Sequence, residues 1–316
     1  MCLNESRQIQ LIDRLTDEKI FHRPNLTDFA AFQKYRNKII YGDLSFTSCY
    51  LWENSMHYRV RITPHAIFIL GLGADHETGV YVLFNDDVPA ITNEITILKN
   101  IFDSAQIPLR LECVSEADVG RICKLPFVCE VSYNDDYSDY IYDNADFTDM
   151  RGTQNKNKRH EYQRFVQRYP DAILVPGHLS DSAFRRDCQA IFDRWCTQHS
   201  CGECRFGCEK NAFERLCEIE MPERHLLGIV YDKDQPLSFG FGELLSDECV
   251  YFHMQKNAFP IEGLTYFLHS RMALQMHPTV KYINWAEDMG MEGIRRNKSK
   301  YHPIELRKKY SVLIRE

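Results

Sequence analysis

No apolar run in the chain approaches the roughly 18–20 residues of a membrane-spanning helix. The opening stretch, MCLNESRQIQLIDRL, has no apolar signal-peptide core. Together these absences predict a cytoplasmic protein. There is no Gly-x-Ser-x-Gly and no His-Glu-x-x-His, which excludes the common hydrolase elbow and the zinc-protease helix. There is no excess of positive charge either. The formal net charge is −7, which argues against a general nucleic-acid binder. Nothing in the sequence signals an oligomeric state.

What is present is ordinary for a globular chain. Hydrophobic residues make up 44% of the 316 and charged residues 26%, enough for a sizeable core, and the length fits two domains. The charge is uneven. Residues 1–150 carry 13 Lys and Arg against 23 Asp and Glu, whereas residues 151–316 carry 25 against 22. The halves therefore face different partners, and a local basic face on the second half can still meet phosphates. The twelve cysteines, without a secretory signal, read as reduced thiols. Cys49, Cys113, Cys123, Cys129, Cys188, Cys217 and Cys249 lie in apolar contexts, where a buried thiol is the default.

Apolar spacing and turn residues give a repeated order of elements. A helix is expected from a cap near Thr27, and an aromatic, buried segment over 41–52. Strands follow at 58–62, 66–72 and 79–84, then a helix over 90–105, a strand at 109–113, a helix at 116–122 and a strand at 128–133. Gly71 and Gly73 lie between two strands with no helix after them, so they read as a hairpin rather than a phosphate cradle. The acidic and aromatic stretch 137–150 reads as the crossing between two domains, 1–150 and 151–316.

The second half opens with a helix whose first turn is basic (Lys156, Lys158, Arg159, His160). A basic start opposes the helix dipole, which suggests placement for a ligand. A strand at 173–175 follows, then a long helix capped by Ser180, a cysteine-rich insert at 196–208, and a helix over 211–218. Strands at 225–231, 237–244 and 249–255, a helix at 261–276, a strand at 282–285, a helix at 291–298 and a strand at 310–314 close the chain. The order three strands, helix, strand, helix, strand thus occurs twice.

Several constellations can carry chemistry. Cys196, Cys201, Cys204 and Cys208 fall within thirteen residues and can wrap Zn²⁺ or hold an iron–sulfur cluster, or they are reduced thiols in a helix connection. Glu243, Glu287 and Asp288 are expected at strand ends on one side of the second sheet, where paired carboxylates can grip an ammonium group. Otherwise Glu243 is simply an outward strand residue and Lys298 a surface lysine. His253 and Asn284 alternate with apolar neighbours on strands, which suits either a site or a satisfied core position. The segment Lys256-Asn257-Ala258-Phe259-Pro260-Ile261-Glu262-Gly263 stands where a nucleotide-binding domain of this order would carry a glycine-rich loop. It has a Pro and a Glu instead, which weighs against a CoA pyrophosphate.

Asn284, Glu287, Asp288, Gly290, Glu292, Gly293, Arg295, Lys298 and Tyr301-His302-Pro303 resemble the closing motif of the phosphatidylglycerol lysyltransferase C-terminal-like family. Gly152, Lys158, Arg159 and Phe165 resemble its glycine-then-basic-helix motif, with His160 where the family tends to have Asn. His253, Lys256 and Gly263 match it as well. The resemblance implies an α/β (α+β) fold of two tandem GNAT-like acyltransferase domains, each a mixed sheet flanked by helices. It implies aminoacyl transfer from an aminoacyl-tRNA to an amine or hydroxyl acceptor that the sequence does not name, with no cofactor required. On this reading Glu243, Glu287 and Asp288 hold the aminoacyl ammonium and Lys298 stabilises the oxyanion. His253, Lys256, Asn284, Arg295, Lys158 and Arg159 bind substrate, the arginines facing tRNA phosphates. The alternatives are an acyl-CoA-dependent N-acyltransferase and a non-catalytic ligand- or tRNA-binding protein of the same fold.

Overall fold

The computed structural model describes residues 3–73, 77–199, 208–219, 223–276 and 278–315. The chain divides into two compact units. The first holds residues 1–139 and 307–316, and the second holds 140–306. The division expected at residue 150 therefore moves to Asp139/Tyr140, and the last strand leaves the second unit altogether.

The first unit runs α1 (Leu3–Asp17), α2 (Phe29–Gln33), α3 (Phe46–Leu51), α4 (Glu53–Met56), β1 (Arg59–Ile62), β2 (Ala66–Leu72), β3 (Thr78–Phe84), α5 (Val88–Ser104), β4 (Leu109–Val114), α6 (Glu116–Ile122) and β5 (Val128–Tyr133). The expected cap near Thr27 is made by Asn25 instead, whose side chain accepts from the Thr27 N–H at the start of a 3-10 turn. Helix α5 shows how the sequence sets local structure. Asp87 caps it by accepting from Ala90 N–H, and Pro89 sits in its first turn, where no donor is needed. Ile91, Ile95, Leu98 and Phe102 then recur every three or four residues and are all buried against the first core. Each such side chain contributes about 1.5–3 kcal/mol by leaving water.

The remaining elements are β6 (Asp139–Asp143), α7 (Asn144–Thr148), α8 (Lys156–Arg168), β7 (Ala172–Pro176), α9 (Ser182–His199), α10 (Glu209–Leu216), β8 (His225–Asp232), β9 (Gln235–Leu244), β10 (Cys249–Asn257), α11 (Leu264–Gln275), β11 (Tyr282–Asn284), α12 (Glu292–Ser299), β12 (Glu305–Arg307) and β13 (Tyr310–Arg315). Asp181, not Ser180, caps α9 by accepting from Ala183 and Phe184 N–H.

The first sheet has the order β1-β2-β3-β4-β13-β5, the second β12-β6-β11-β10-β9-β8-β7. In the first, β3 and β4 are parallel and β13 lies antiparallel to both β4 and β5. In the second, β10 and β11 are parallel and β6 pairs antiparallel with β11. With β7 set aside, strands β8, β9, β10, β11, β6 and β12 repeat the roles of β1, β2, β3, β4, β13 and β5. The tandem GNAT-like fold expected from the repeat is the observed one. Two details differ. The crossing segment contributes β6, with Tyr140, Ile141 and Tyr142 buried. The final strand forms where expected but fills the gap between β4 and β5 of the first sheet. Strand propensity is local, whereas the partner is set by which sheet has an unfilled gap, and sequence spacing does not carry that information. Buried Lys309 secures β13's approach by pairing with Asp43 at 2.6 Å and Asp139 at 2.7 Å.

Among the described residues no helix is long and apolar enough to cross a membrane.

Candidate functional site

Register builds a polar row across the second sheet. His225 on β8 is opposite Glu243 on β9, Glu243 is opposite Tyr251 on β10, and Tyr251 is opposite Asn284 on β11. Directly opposed residues share a face. Strand β10 then bulges between Phe252 and Met254, so His253 is the unpaired extra residue. Strand alternation sets His253, two residues after Tyr251, on the Glu243 face, where its ring stacks on Phe241 at 4.8 Å and lies edge-on to Tyr251 at 4.7 Å.

His253 Nε2 donates to Glu243 Oε2 at 3.0 Å, and the two side chains are only 2% and 3% exposed. Burial pushes the Glu243 carboxyl up. The His253 hydrogen bond and the nearby His253 and Arg224 outweigh that and hold it below the ordinary carboxylate range. Burial pulls the His225 imidazole down to about 4, against the opposing pull of Glu243, so it is neutral at pH 7. His225 also lines a cleft of about 130 Å³ that Glu243 and His253 do not reach. The row therefore runs from the cleft inward as a neutral imidazole, a carboxylate and a second imidazole.

The acidic turn after β11 is fastened by its own side chains. Asp288 is buried and takes two bonds from Arg295, both 2.8 Å, one from Tyr140 hydroxyl at 2.6 Å and one from Gly290 N–H at 2.9 Å. Burial raises its carboxyl pKa, but these donors outweigh burial and hold it low. Lys298, also buried, donates to the carbonyls of Glu287, at 2.6 Å, and Trp285. Asn284 Oδ1 accepts from Ala286 N–H at 2.9 Å. Ala286, Met289 and Gly290 all have positive φ, a backbone course that needs such fastening. Asp288 and Lys298, expected as an ammonium grip and an oxyanion donor, thus form a side-chain clasp around residues 284–290. The half-buried Glu287 joins it through its carbonyl.

The basic residues are similarly engaged. Arg159 donates to the carbonyls of Met150 and Gly152, the latter at 2.7 Å, so its guanidinium ties the start of α8. Lys256 pairs with both Glu209 oxygens at 2.8 Å and lies 4.0 Å from the Trp195 ring centre. Lys158 is buried with no hydrogen-bond partner among the described residues, and its ammonium lies 4.3 Å from the Tyr301 ring centre. Burial pulls it down to about 8 against the charge of Asp146. Tyr301 hydroxyl bonds His269 Nδ1 at 3.0 Å, and His269 Nε2 bonds Gln255 Oε1 at 2.5 Å. An amide oxygen only accepts, so Nε2 carries the proton and Nδ1 accepts from the tyrosine.

At the start of α11, the segment that stands in for a phosphate loop is covered by α8. A Cβ on Gly263 would meet the Glu161 carbonyl oxygen at 2.2 Å, and Arg164 pairs with Glu262 at 2.7 Å. Of the four clustered cysteines, Cys196 and Cys208 are half-buried, and Cys201 and Cys204 lie outside the described residues. Sequence reading missed His225, His269 and Tyr140. Each becomes part of a cluster only through register or through a partner on another element.

Residues 37–313 match the family described as phosphatidylglycerol lysyltransferase, C-terminal. The chain belongs to this family. Among solved structures, similarity to the phosphatidylglycerol lysyltransferase fold is extensive. L-PGS from Bacillus licheniformis has a TM-score of 0.64 at 13% identity, covering 92% of each chain. The C-terminal domain of a putative lysylphosphatidylglycerol synthetase from Agrobacterium fabrum also gives 0.64, at 10% identity, covering 97% of this chain and 92% of that one. A conserved protein of unknown function from Bacteroides thetaiotaomicron gives 0.80 at 21% identity, covering 93% of this chain and 99% of that one. At these identities the likeness carries the fold. No curated protein matches the chain.

Proposed function

We propose that this lysyltransferase-family chain moves an aminoacyl group from an aminoacyl-tRNA to an amine or hydroxyl acceptor. The supporting observation is the polar row at the cleft, on a family match that spans 37–313. Neutral His225 faces the cleft and takes the proton of the acceptor as its nitrogen or oxygen attacks the ester carbonyl. Glu243 behind it stabilises the imidazolium, and the His253 bond fixes Glu243 in place. The carbonyl carbon–oxygen bond to the tRNA ribose then breaks, and the imidazolium returns its proton to that oxygen. The ester is already activated, so positioning supplies most of the acceleration. Asp288 and Lys298 act as positioning residues through the 284–290 clasp.

An acyl-CoA donor is the weaker reading. A pyrophosphate on this fold needs free backbone N–H groups at a helix start. Here α8 lies against Gly263, and Pro260 lacks a donor.

The test is binding of charged and uncharged total tRNA at two salt concentrations with acetyl-CoA as competitor, followed by transfer to small amine acceptors. Salt-sensitive binding that prefers charged tRNA, and transfer that falls at least hundredfold in Glu243→Gln, are expected. Saturable acetyl-CoA binding without tRNA binding would overturn the proposal.

A further inference from the structure

A tight turn in the first unit brings two thiols together. Cys123 ends α6 as its C-cap residue, its N–H bonded to the carbonyls of Val119 and Arg121. Lys124 N–H bonds the Arg121 carbonyl at 3.2 Å and Leu125 N–H the Ile122 carbonyl at 2.9 Å, so the chain turns at once. Leu125 and Phe127 pack against the first core, and β5 starts at Val128. Cys129 thereby returns beside Cys123, and the two thiols share a hydrogen bond. Cys129 is half-buried, with its sulfur also 3.8 Å from the Phe127 carbonyl oxygen. Cys123, expected to be buried, is instead the only exposed cysteine among the described residues. Sulfurs in hydrogen-bond contact need only a modest side-chain adjustment to reach the about 2.05 Å of a disulfide. Neither thiol enters the transfer chemistry proposed above.

We propose that Cys123 and Cys129 are a redox-active dithiol, which a low-molecular-weight disulfide converts to an intrachain disulfide that staples α6 to β5. Cys123 attacks first, because it meets solvent and the thiolate is the nucleophile. Its sulfur bonds to one sulfur of the small disulfide R–S–S–R, the S–S bond breaks, and R–S⁻ leaves and takes up a proton. Burial, and then the neighbouring Cys123, push the Cys129 thiol up to about 11, so it stays protonated while Cys123 attacks. Cys129 next gives its proton to solvent and attacks Cys123 Sγ. The Cys123–Cys129 bond forms, the bond to R breaks, and a second R–SH leaves. Two protein thiols are oxidised and one small disulfide is reduced to two thiols. The target of the staple is an edge. Strand β5 is the outermost strand of the first sheet and is held there by β13 alone, with Cys129 opposite Ile314. The disulfide gives β5 a second, covalent attachment, through α6.

The test treats the folded, reduced full chain with oxidised glutathione, blocks the remaining thiols and maps the tryptic peptides by mass spectrometry. Cleavage after Arg121, Lys124 and Arg151 places the two cysteines on separate peptides, 122–124 and 125–151. The expected product is these two peptides joined, lighter by two hydrogens and separated again by dithiothreitol. Cys129→Ser is expected to stop at the glutathione adduct on Cys123, and Cys123→Ser to leave Cys129 unmodified under the same exposure. Hydrogen exchange supplies the structural readout. Amides of β5 are expected to exchange on the order of tenfold more slowly in the oxidised wild type than in the reduced one. If Cys129→Ser does not fold, the wild-type peptide map still decides. A glutathione adduct that persists on Cys123 of the wild type, no oxidation at either cysteine, or equal exchange across β5 in the two redox states would each overturn the proposal.

Discussion

The two sheets share a strand order but differ in register at a corresponding pair of strands. Strand β3 pairs with β2 without a shift from Thr78 to Phe84, and β2 is buried along its whole length. Its counterpart β10 carries a bulge at Phe252/Met254, and the unpaired residue there is His253, which bonds Glu243. In the first unit, buried Lys309 pairs with half-buried Asp43 and buried Asp139 and pins a strand in place. In the second, the buried charges lie beside a cleft. A repeated scaffold therefore becomes a candidate site through the polar row on one sheet, with no change in topology.

The strongest way to break this comparison is to make the second sheet like the first. Glu243→Val with His253→Val is expected to lower aminoacyl transfer at least hundredfold. Replacing both partners of a buried pair by apolar groups is often close to neutral, so the double variant should unfold in urea near the wild-type midpoint. Glu243→Val alone should be the less stable protein. Full activity in the double variant would end the comparison.

The converse test lies in the first sheet. Lys309→Met leaves Asp43 and Asp139 buried without their cation and is expected to cost about 3–5 kcal/mol in urea unfolding. Any transfer lost should return under conditions that restore folding.

Lys158 sharpens the contrast through pH. Its pKa of about 8 in the native state lies below the roughly 10.4 of an unfolded lysine. Between these values the unfolded chain holds the extra proton, so stability rises with pH across that window, and the penalty is fully present below it. Lys158→Met should flatten the rise and stabilise the protein at pH 7 by on the order of 3 kcal/mol. Parallel denaturation curves for both proteins at pH 7, 9 and 10 would refute this.

The smallest effect belongs to the surface. Arg296 pairs with Glu292 at 2.6 Å on α12, with side chains 70% and 84% exposed. Arg296→Ala should shift stability by no more than about 0.5 kcal/mol. A larger loss would mean that α12 is fastened more tightly than its exposure indicates.

Much of the fold was legible because apolar periodicity is local. Strands at 66–72 and 128–133 and the helix at 116–122 have the expected bounds, and the doubled order of elements is real. The site was only partly legible. Glu243 and His253 were both expected as site residues, yet their pairing depends on how β9 and β10 align, which no residue type announces. His225 was read only as the start of a strand, because its importance comes from lying opposite Glu243 across the sheet. Asp288, Arg295 and Lys298 stood out as charged residues in a motif. Whether such residues face a ligand or fasten a loop is decided by tertiary contacts, and here backbone carbonyls and neighbouring side chains take them up.

The placement of β13 has a consequence for how the protein is made. The first sheet keeps a gap between β4 and β5 until a strand arrives that follows the whole second unit in the chain. A ribosome extending the polypeptide thus releases a first half whose two neighbouring edges are unpaired and prone to stray strand addition. Closing that gap requires contacts between distant positions, which slows folding. Synthesis and maturation of the first unit are therefore out of step, and chaperone demand should peak after the second unit is already folded.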